Sequence, residues 1–327
     1  MMKIKRRESY SIDLYEEPYG IHDHKKVFNG TLTFTGVELI EAIVSAGMPD
    51  VYLTKSEKRN RREEIYFKVK LFETYVVSAT GGKLSFDTSK KKYLDSTEVG
   101  AINYWIGMVL ITVLGQKKYD YDFMVHLSMI KLFSSKICVS KYKFFSASGK
   151  ITFKFPDLLA INSRKNTFGV FEAKGYSNYN KNAMEQGYRQ AKSIKEINGN
   201  SPKNCLVVMT QTGGKEISMI EKDPDGENCK INIDLDFLYL YHFLPIVELI
   251  MELSPEKQGD CMRGSLEYGD DCYSISIPFD LYNRFSEIVN SDKESFFEES
   301  TFETFFSERH LSQLISAKSE KRIICVE

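Results

Sequence analysis

The 327-residue chain lacks the features that would mark a membrane or secreted protein. No apolar run reaches the roughly 18 residues that a membrane-spanning helix needs, and no apolar segment follows the basic residues of the start, MMKIKRRESYS. The six cysteines are widely spaced and include no CxxC pair, which excludes a zinc finger and indicates free thiols. These absences predict a cytoplasmic protein with no membrane contact.

The sequence also lacks an excess of charge of either sign. It has 44 Lys and Arg residues against 45 Asp and Glu residues, a formal net charge of −1. This balance excludes a positive field over the whole molecule, so contact with nucleic acid would need a local basic patch. The hydrophobic share of 42% is that of a folded chain and excludes disorder as the main state.

No internal repeat or long linker is visible, and the patterns divide the chain into three regions. We predict an N-terminal α+β region (residues 1–90), a central core (91–215) and a C-terminal, mostly helical region (216–327). In the first region, residues 30–36 and 64–77 are predicted as strands and 37–46 as a helix. In the last, an apolar segment predicts a helix around residues 235–253.

The central core has the clearest pattern. A buried helix is predicted from a cap at Ser96 or Thr97, through apolar residues to Leu114, with a stop at Gly115. The elements predicted after it are strands at residues 142–147, 151–161 and 167–175, an amphipathic helix at 180–197 and a buried strand at 205–210. The predicted order is helix, three-stranded meander, helix, strand.

Two carboxylates and a lysine fall on the last two strands of this meander. Glu172 and Lys174 are two residues apart, so they project from one face of their strand. An antiparallel hairpin centred on Arg164 and Lys165 pairs Asp157 directly with Glu172. Because such carboxylates repel each other, the arrangement favours a cation between them.

A hard divalent ion is the natural occupant of a site with only oxygen ligands. Two carboxylates, completed by water and a substrate phosphate, suit Mg²⁺ and not Zn²⁺. A lysine beside the ion can orient water and stabilise charge that develops on phosphate. The residue types therefore indicate phosphodiester hydrolysis.

In Pro156, Asp157, Glu172, Ala173 and Lys174 the chain resembles the PD-(D/E)XK nuclease superfamily, over residues 96–212. The resemblance implies an α/β fold (an α+β mixed sheet) with a restriction-endonuclease-like core within residues 91–215. It also implies that Asp157 and Glu172 bind the metal, that Ala173 offers its carbonyl oxygen and that Lys174 assists the attacking water.

The family pattern suggests two further site residues. A glutamate from the first core helix corresponds to Glu98 as an additional metal ligand. A glutamine on the helix after the Glu-x-Lys strand corresponds to Gln190 as a catalytic residue, with Gln186, one turn away, as the second choice.

The function that the resemblance implies is a Mg²⁺-dependent nuclease in which Mn²⁺ also supports cleavage. The expected substrate is double-stranded DNA, cut by an endonuclease in restriction or anti-phage defence, with a homo-oligomer or a defence-complex protein as possible partner. Three alternatives remain open: an RNase of the same fold, a non-catalytic nucleic-acid-binding or assembly subunit, and a hairpin in which Glu172 and Lys174 form only a surface ion pair.

Other candidate residues have simpler explanations. His126 and His242 lie among aromatic and aliphatic residues, which is typical of core or boundary histidines and not of a catalytic base. The basic segments KSEKRNRRE and Lys90 to Lys92 are either solvated charge or phosphate contacts.

Overall fold

The fold is seen in a computed structural model that describes residues 4–5, 7–17, 26–46, 61–78, 80–127, 144–145, 151–152, 156–223, 229–231, 235–268, 271–290 and 324–326. The α-helices of this part are α1 Gly36–Ser45, α2 Arg61–Tyr75, α3 Thr88–Lys91, α4 Ser96–Lys117, α5 Lys181–Ala191, α6 Leu235–Glu252 and α7 Phe279–Asn290. Its strands are β1 Ser9–Glu16, β2 Val27–Thr35, β3 Val76–Ser78, β4 Leu84–Phe86, β5 Phe123–His126, β6 Phe144–Phe145, β7 Ile151–Thr152, β8 Leu158–Asn162, β9 Thr167–Tyr176, β10 Ile194–Ile197, β11 Asn204–Gln211, β12 Ser218–Lys222, β13 Cys229–Ile231, β14 Glu256–Gln258, β15 Cys261–Tyr268, β16 Asp271–Pro278 and β17 Ile324–Val326.

A mixed sheet of seven strands organises this α/β fold, in the order β2-β1-β12-β11-β9-β8-β5. The pairs β1/β12 and β9/β11 are parallel, and the other neighbours are antiparallel. A second sheet, β14-β15-β16-β17, is antiparallel throughout. The main sheet therefore contains both kinds of pairing, and seven α-helices accompany the sheets in the described residues.

The hairpin of β8 and β9 has the predicted register. Leu158 pairs with Phe171 and Asn162 with Thr167, with the turn at residues 163–166. The Asn162 side chain accepts a hydrogen bond from the Lys165 amide, and Asn166 has a φ of +48°, which Asn tolerates better than most residues. Local turn chemistry thus sets the alignment that brings Asp157 opposite Glu172.

Helix α4 confirms the predicted buried helix, although its cap is Asp95 and it ends at Lys117. The Asp95 carboxylate accepts from two first-turn amides, those of Thr97 and Glu98. By length and composition alone α4 could cross a membrane, but 67% of its apolar window is buried inside the structure. This burial is that of a core helix and is consistent with a soluble protein.

The two helices beside β9 cover opposite faces of that strand. A Cβ atom at Gly175 would lie 2.0 Å from the Asn103 carbonyl oxygen, so α4 packs directly on the backbone of β9. On the other face, a Cβ atom at Gly187 would lie 2.5 Å from Val207 and 3.1 Å from Lys174 Cε, so α5 packs closely there. Alternation along β9 therefore directs Glu172 and Lys174 toward α5.

Residues 64–77, predicted as a strand, instead belong mostly to helix α2. Ile65, Val69 and Phe72 lie on one helical face and are buried, whereas Phe67 is 66% exposed. The segment EEIYFKVKLF fits both the strand and the helix period over its first residues. Packing against α1 and α6 favours the helix.

Two boundaries in the central core also differ from the prediction. The first strand of the meander is predicted at residues 142–147, but the strand that pairs with β8 is β5, Phe123–His126. Of residues 142–147 the structure describes only 144–145, which pair with 151–152. The helix predicted over residues 180–197 ends at Ala191, because Ile194–Ile197 pairs with Cys229–Ile231 as a strand.

The terminal regions contribute more strand than the patterns predict. Strands β1 and β2 extend the main sheet through the pairing of β1 with β12. The prediction of a mostly helical region after residue 215 is wrong for its described part, which adds β12 and the four-stranded sheet to helices α6 and α7. Helix α6 matches the predicted residues 235–253 closely.

Candidate active site

A cleft of about 920 Å³ opens beside the end of β9. Its walls are the first turns of α4, the segment from Gly175 to Asn180 and the face of α5 that carries Gln186 and Gln190. Asp157, Glu172, Ala173 and Lys174 line it as well. The structure therefore brings most of the predicted site residues to one cavity.

Two hydrogen bonds from main-chain amides connect Asp157 to Glu172 and to Ala173 across the hairpin. The Asp157 amide donates to Glu172 Oε2 at 3.0 Å, and the Ala173 amide donates to Asp157 Oδ2 at 2.9 Å. Asp157 lies just before β8, next to the Leu158–Phe171 pair, so these bonds to side chains connect it to the opposing strand. They hold both carboxylates at the same end of the β8–β9 hairpin.

Lys174 is held between the strand and helix α5. Its Nζ atom donates to Glu172 Oε1 and, at 3.1 Å, to Gln190 Oε1. The side chain of Glu172 is only 2% exposed and that of Lys174 16% exposed. This burial contradicts the alternative in which Glu172 and Lys174 form a surface ion pair.

Burial makes the charge on Glu172 unfavourable. Desolvation, and then the negative charge of Asp157, raise the pKa of Glu172 from 4.5 to about 8, although Lys174 opposes the shift. A cation between the two carboxylates would remove this penalty. The electrostatics of the pair therefore favour binding of a positive ion.

The ligands at this site fit a hard divalent ion. Within the described residues there is no group of three or more His, Cys, Asp or Glu side chains that could hold a metal. The protein ligands near the pair would be Asp157, Glu172 and the main-chain carbonyl oxygen of Ala173, with water and substrate for the rest. An incomplete, oxygen-only set is how proteins usually bind Mg²⁺.

Glu98 does not join this cluster. Its carboxylate accepts a hydrogen bond from the Asp95 amide at 2.9 Å, completing a capping box at the start of α4, and Glu98 is not among the residues that line the cleft. The sequence Asp-x-x-Glu before an apolar run is itself a capping signal. That local role accounts for Glu98 at this position.

Tyr104 is a cleft residue that the sequence analysis does not identify. It is 41% exposed, and its hydroxyl donates to Asp157 Oδ1 at 3.4 Å. Burial of the hydroxyl and the charges of Asp157 and Glu172 raise the pKa of Tyr104 above its usual range, so the phenol stays protonated. The one feature of the sequence that could have indicated Tyr104 is its hydroxyl group within the largely apolar helix α4.

The remaining candidates lie elsewhere. His242 is buried, with its ring centroid 4.9 Å from that of Phe123, which confirms a core histidine. His126 is the last residue of β5, an edge strand of the main sheet, and is partly buried. Of the basic segment KSEKRNRRE, residues 55–60 lie outside the described residues and 61–63 begin α2.

Comparison of the chain with models of known protein families, with curated proteins and with solved structures gave no match. The chemistry of the cleft is therefore the basis for a functional assignment.

Proposed function

We propose that this protein is a Mg²⁺-dependent nuclease that hydrolyses phosphodiester bonds at the cleft. The observation that carries the proposal is the buried Glu172, held beside both Asp157 and Lys174 in a cleft of about 920 Å³. A buried carboxylate with a raised pKa, held beside a second carboxylate and an ammonium, is costly to fold without a ligand. A metal ion and a phosphate would together offset that cost.

Each residue has a distinct chemical role in this proposal. Asp157, Glu172 and the Ala173 carbonyl would hold Mg²⁺, which would supply Lewis-acid stabilisation of the phosphate. Lys174 would orient the attacking water and stabilise negative charge on the phosphate oxygens. Gln190 would keep the Lys174 ammonium aimed into the cleft, and Tyr104 would orient the Asp157 carboxylate.

Membership of the PD-(D/E)XK superfamily is part of the proposal. It is supported by the identity of the residues in the β8–β9 hairpin and by the order α4, β5, β8, β9, α5, β11. On this basis the substrate is DNA, and restriction or anti-phage defence is the setting. The same residues would also serve an RNase, so the substrate is determined by assay.

Cleavage assays on four substrates test the proposal. Plasmid, linear duplex, single-stranded DNA and RNA are each incubated with Mg²⁺, with Mn²⁺ and with EDTA. We expect cleavage with either metal and none with EDTA. Plasmid cleavage would also identify endonuclease action, because an exonuclease needs a free end.

Conservative variants separate this site from a contaminating nuclease. Asp157→Asn and Glu172→Gln should each abolish cleavage, because each replaces an anionic metal ligand by a neutral, weaker amide ligand. Glu185→Gln is the matched control, since Glu185 is an exposed carboxylate on α5 that does not line the cleft. Cleavage by Asp157→Asn at the wild-type rate, or none by the wild-type protein on any substrate, would overturn the proposal.

A further inference from the structure

A second basic side chain lines the cleft that contains Asp157 and Glu172. Lys91 is the last residue of α3, just before α4, and its Nζ atom donates to Ser177 Oγ at 2.8 Å. Ser177 follows β9 directly and lines the same cleft. The ammonium of Lys91 is thus tied to the strand that carries the candidate catalytic residues.

Buried side chains support this contact from behind. Asn103 Nδ2 donates to Ser177 Oγ at 3.3 Å, and Thr212 Oγ1 donates to Asn103 Oδ1 at 2.7 Å. Asn103 and Thr212 are each only 2% exposed. Polar groups at that depth need hydrogen-bond partners, and here those partners connect α4 and the end of β11 to Ser177. The position of the serine hydroxyl, and with it that of Lys91, is therefore well defined.

The two neighbouring lysines have other contacts. Lys90 Nζ donates to the Thr74 carbonyl oxygen at 2.6 Å and lies 3.3 Å from an Asp87 oxygen. Lys92 is exposed, with its Nζ 4.9 Å from the centre of the Tyr93 ring. Neither lines the cleft. Of the three consecutive lysines, Lys91 alone reaches it.

The charge on Lys91 is available to an anion. Of the charged side chains that line the cleft, Glu172 pairs with Lys174 and Asp95 accepts the amides of the first turn of α4. Among the described residues Lys91 has no carboxylate within salt-bridge distance, and its ammonium donates to the neutral Ser177 hydroxyl. A polyanion that approaches the two site carboxylates would be repelled unless cations near them compensate, and Lys91 is placed to do so.

We propose that Lys91 and Ser177 form a phosphate-binding subsite for the backbone of a nucleic-acid strand, next to the phosphate that is cleaved. This inference rests on the proposed function for its choice of polyanion. A contact of this kind positions the strand and does not read base sequence. It should therefore contribute similarly to every substrate that the cleft accepts.

Binding measured without cleavage tests the subsite separately from catalysis. Fluorescence anisotropy in EDTA, over a series of salt concentrations, gives the affinity for labelled duplex DNA, single-stranded DNA and RNA. The variants are Lys91→Ala, Lys91→Arg and, as matched control, Lys92→Ala, which removes the same charge one residue away. The thermal unfolding of each variant establishes that it is folded.

We expect Lys91→Ala to weaken binding about three- to tenfold at low salt and to lower the slope of log affinity against log salt by about 1, on whichever strands the wild-type protein binds. Lys91→Arg should keep the slope, because the positive charge remains, and Lys92→Ala should change little. Equal losses in Lys91→Ala and Lys92→Ala, or no binding of any strand by the wild-type protein, would overturn the inference.

The assay also distinguishes this inference from the catalytic proposal. A wild-type protein that binds through Lys91 but cleaves nothing with Mg²⁺ would retain the subsite and reject the nuclease. A wild-type protein that cleaves, with Lys91→Ala binding and cleaving as well as Lys92→Ala, would retain the nuclease and reject the subsite.

Discussion

The side-chain oxygen of Gln190 lies 3.1 Å from the ammonium of Lys174, and this bond links helix α5 to the strand that carries the site. Gln190 is 8% exposed, whereas Gln186, one turn earlier, is exposed in the same cleft. Of the two glutamines considered from the sequence, the structure therefore connects Gln190 to the lysine. Substitution of each glutamine in turn therefore gives a matched comparison on one helix.

Gln190→Ala should lower kcat by about tenfold or more with little change in KM, because it releases the ammonium that would act in the transition state. Gln186→Ala, which leaves Lys174 in place, should retain kcat within about twofold. Steady-state cleavage kinetics of both variants give the comparison. Equal losses would assign the two glutamines the same role in substrate binding.

Lys174→Ala should bind nucleic acid yet cleave it poorly. The ammonium is paired with Glu172 before substrate arrives, so its main contribution would come when charge develops on the phosphate. Binding by anisotropy and single-turnover cleavage, measured on the same substrate, separate the two effects. A variant whose only defect is weaker binding would make Lys174 a phosphate anchor.

Gly187→Ala should destabilise the protein by about 1–3 kcal/mol, because the new methyl group would lie 2.5 Å from Val207 and 3.1 Å from Lys174 Cε. Gly100→Ala is the control: it is also helical, but a Cβ atom there has no neighbour within 4 Å. That change should stabilise α4 by up to about 1 kcal/mol. Chemical denaturation of both variants measures the difference, and equal effects would contradict close packing of α5 on the site.

The pH dependence of stability should report the state of Glu172. Its pKa is about 8 in the folded protein and 4.5 as the ordinary value, so the folded state retains a proton that the unfolded state releases. The unfolding free energy of the metal-free protein should therefore fall as pH rises from about 4.5 to 8.

The Glu172→Gln side chain stays neutral and should lack this loss of stability. At pH 8 in EDTA its unfolding free energy should therefore exceed that of the wild-type protein by ~4 kcal/mol, the order expected from pKa values of about 8 and 4.5. Denaturation at several pH values, with Glu185→Gln as control, tests the expectation. Mg²⁺ should stabilise the wild-type protein most near pH 8, because the ionised Glu172 carboxylate binds the cation better than the protonated form does. A wild-type protein and Glu172→Gln that lose stability in parallel would exclude Glu172 as the titrating group.

Sequence alone determined the features that depend on near neighbours in the chain. The alignment of Asp157 with Glu172 follows from a four-residue turn, whose geometry is set by the hydrogen bond from the Lys165 amide to Asn162 and by the positive φ of Asn166. The projection of Glu172 and Lys174 from one face follows from the strand period. The burial of α4 follows from its continuous apolar composition.

Tertiary structure decided what depends on residues far apart. The first residues of segment 64–77 fit both the strand period and the helix period, and packing against α1 and α6 made the segment mostly a helix. Strand β1 entered the main sheet by pairing with β12, some 200 residues away, which no local pattern indicates. The contacts of Tyr104 with Asp157 and of Lys91 with Ser177 exist because separate elements meet at the cleft. Side-chain periodicity specifies which face of an element is buried, but not which element covers it, and the cleft is built from such long-range contacts.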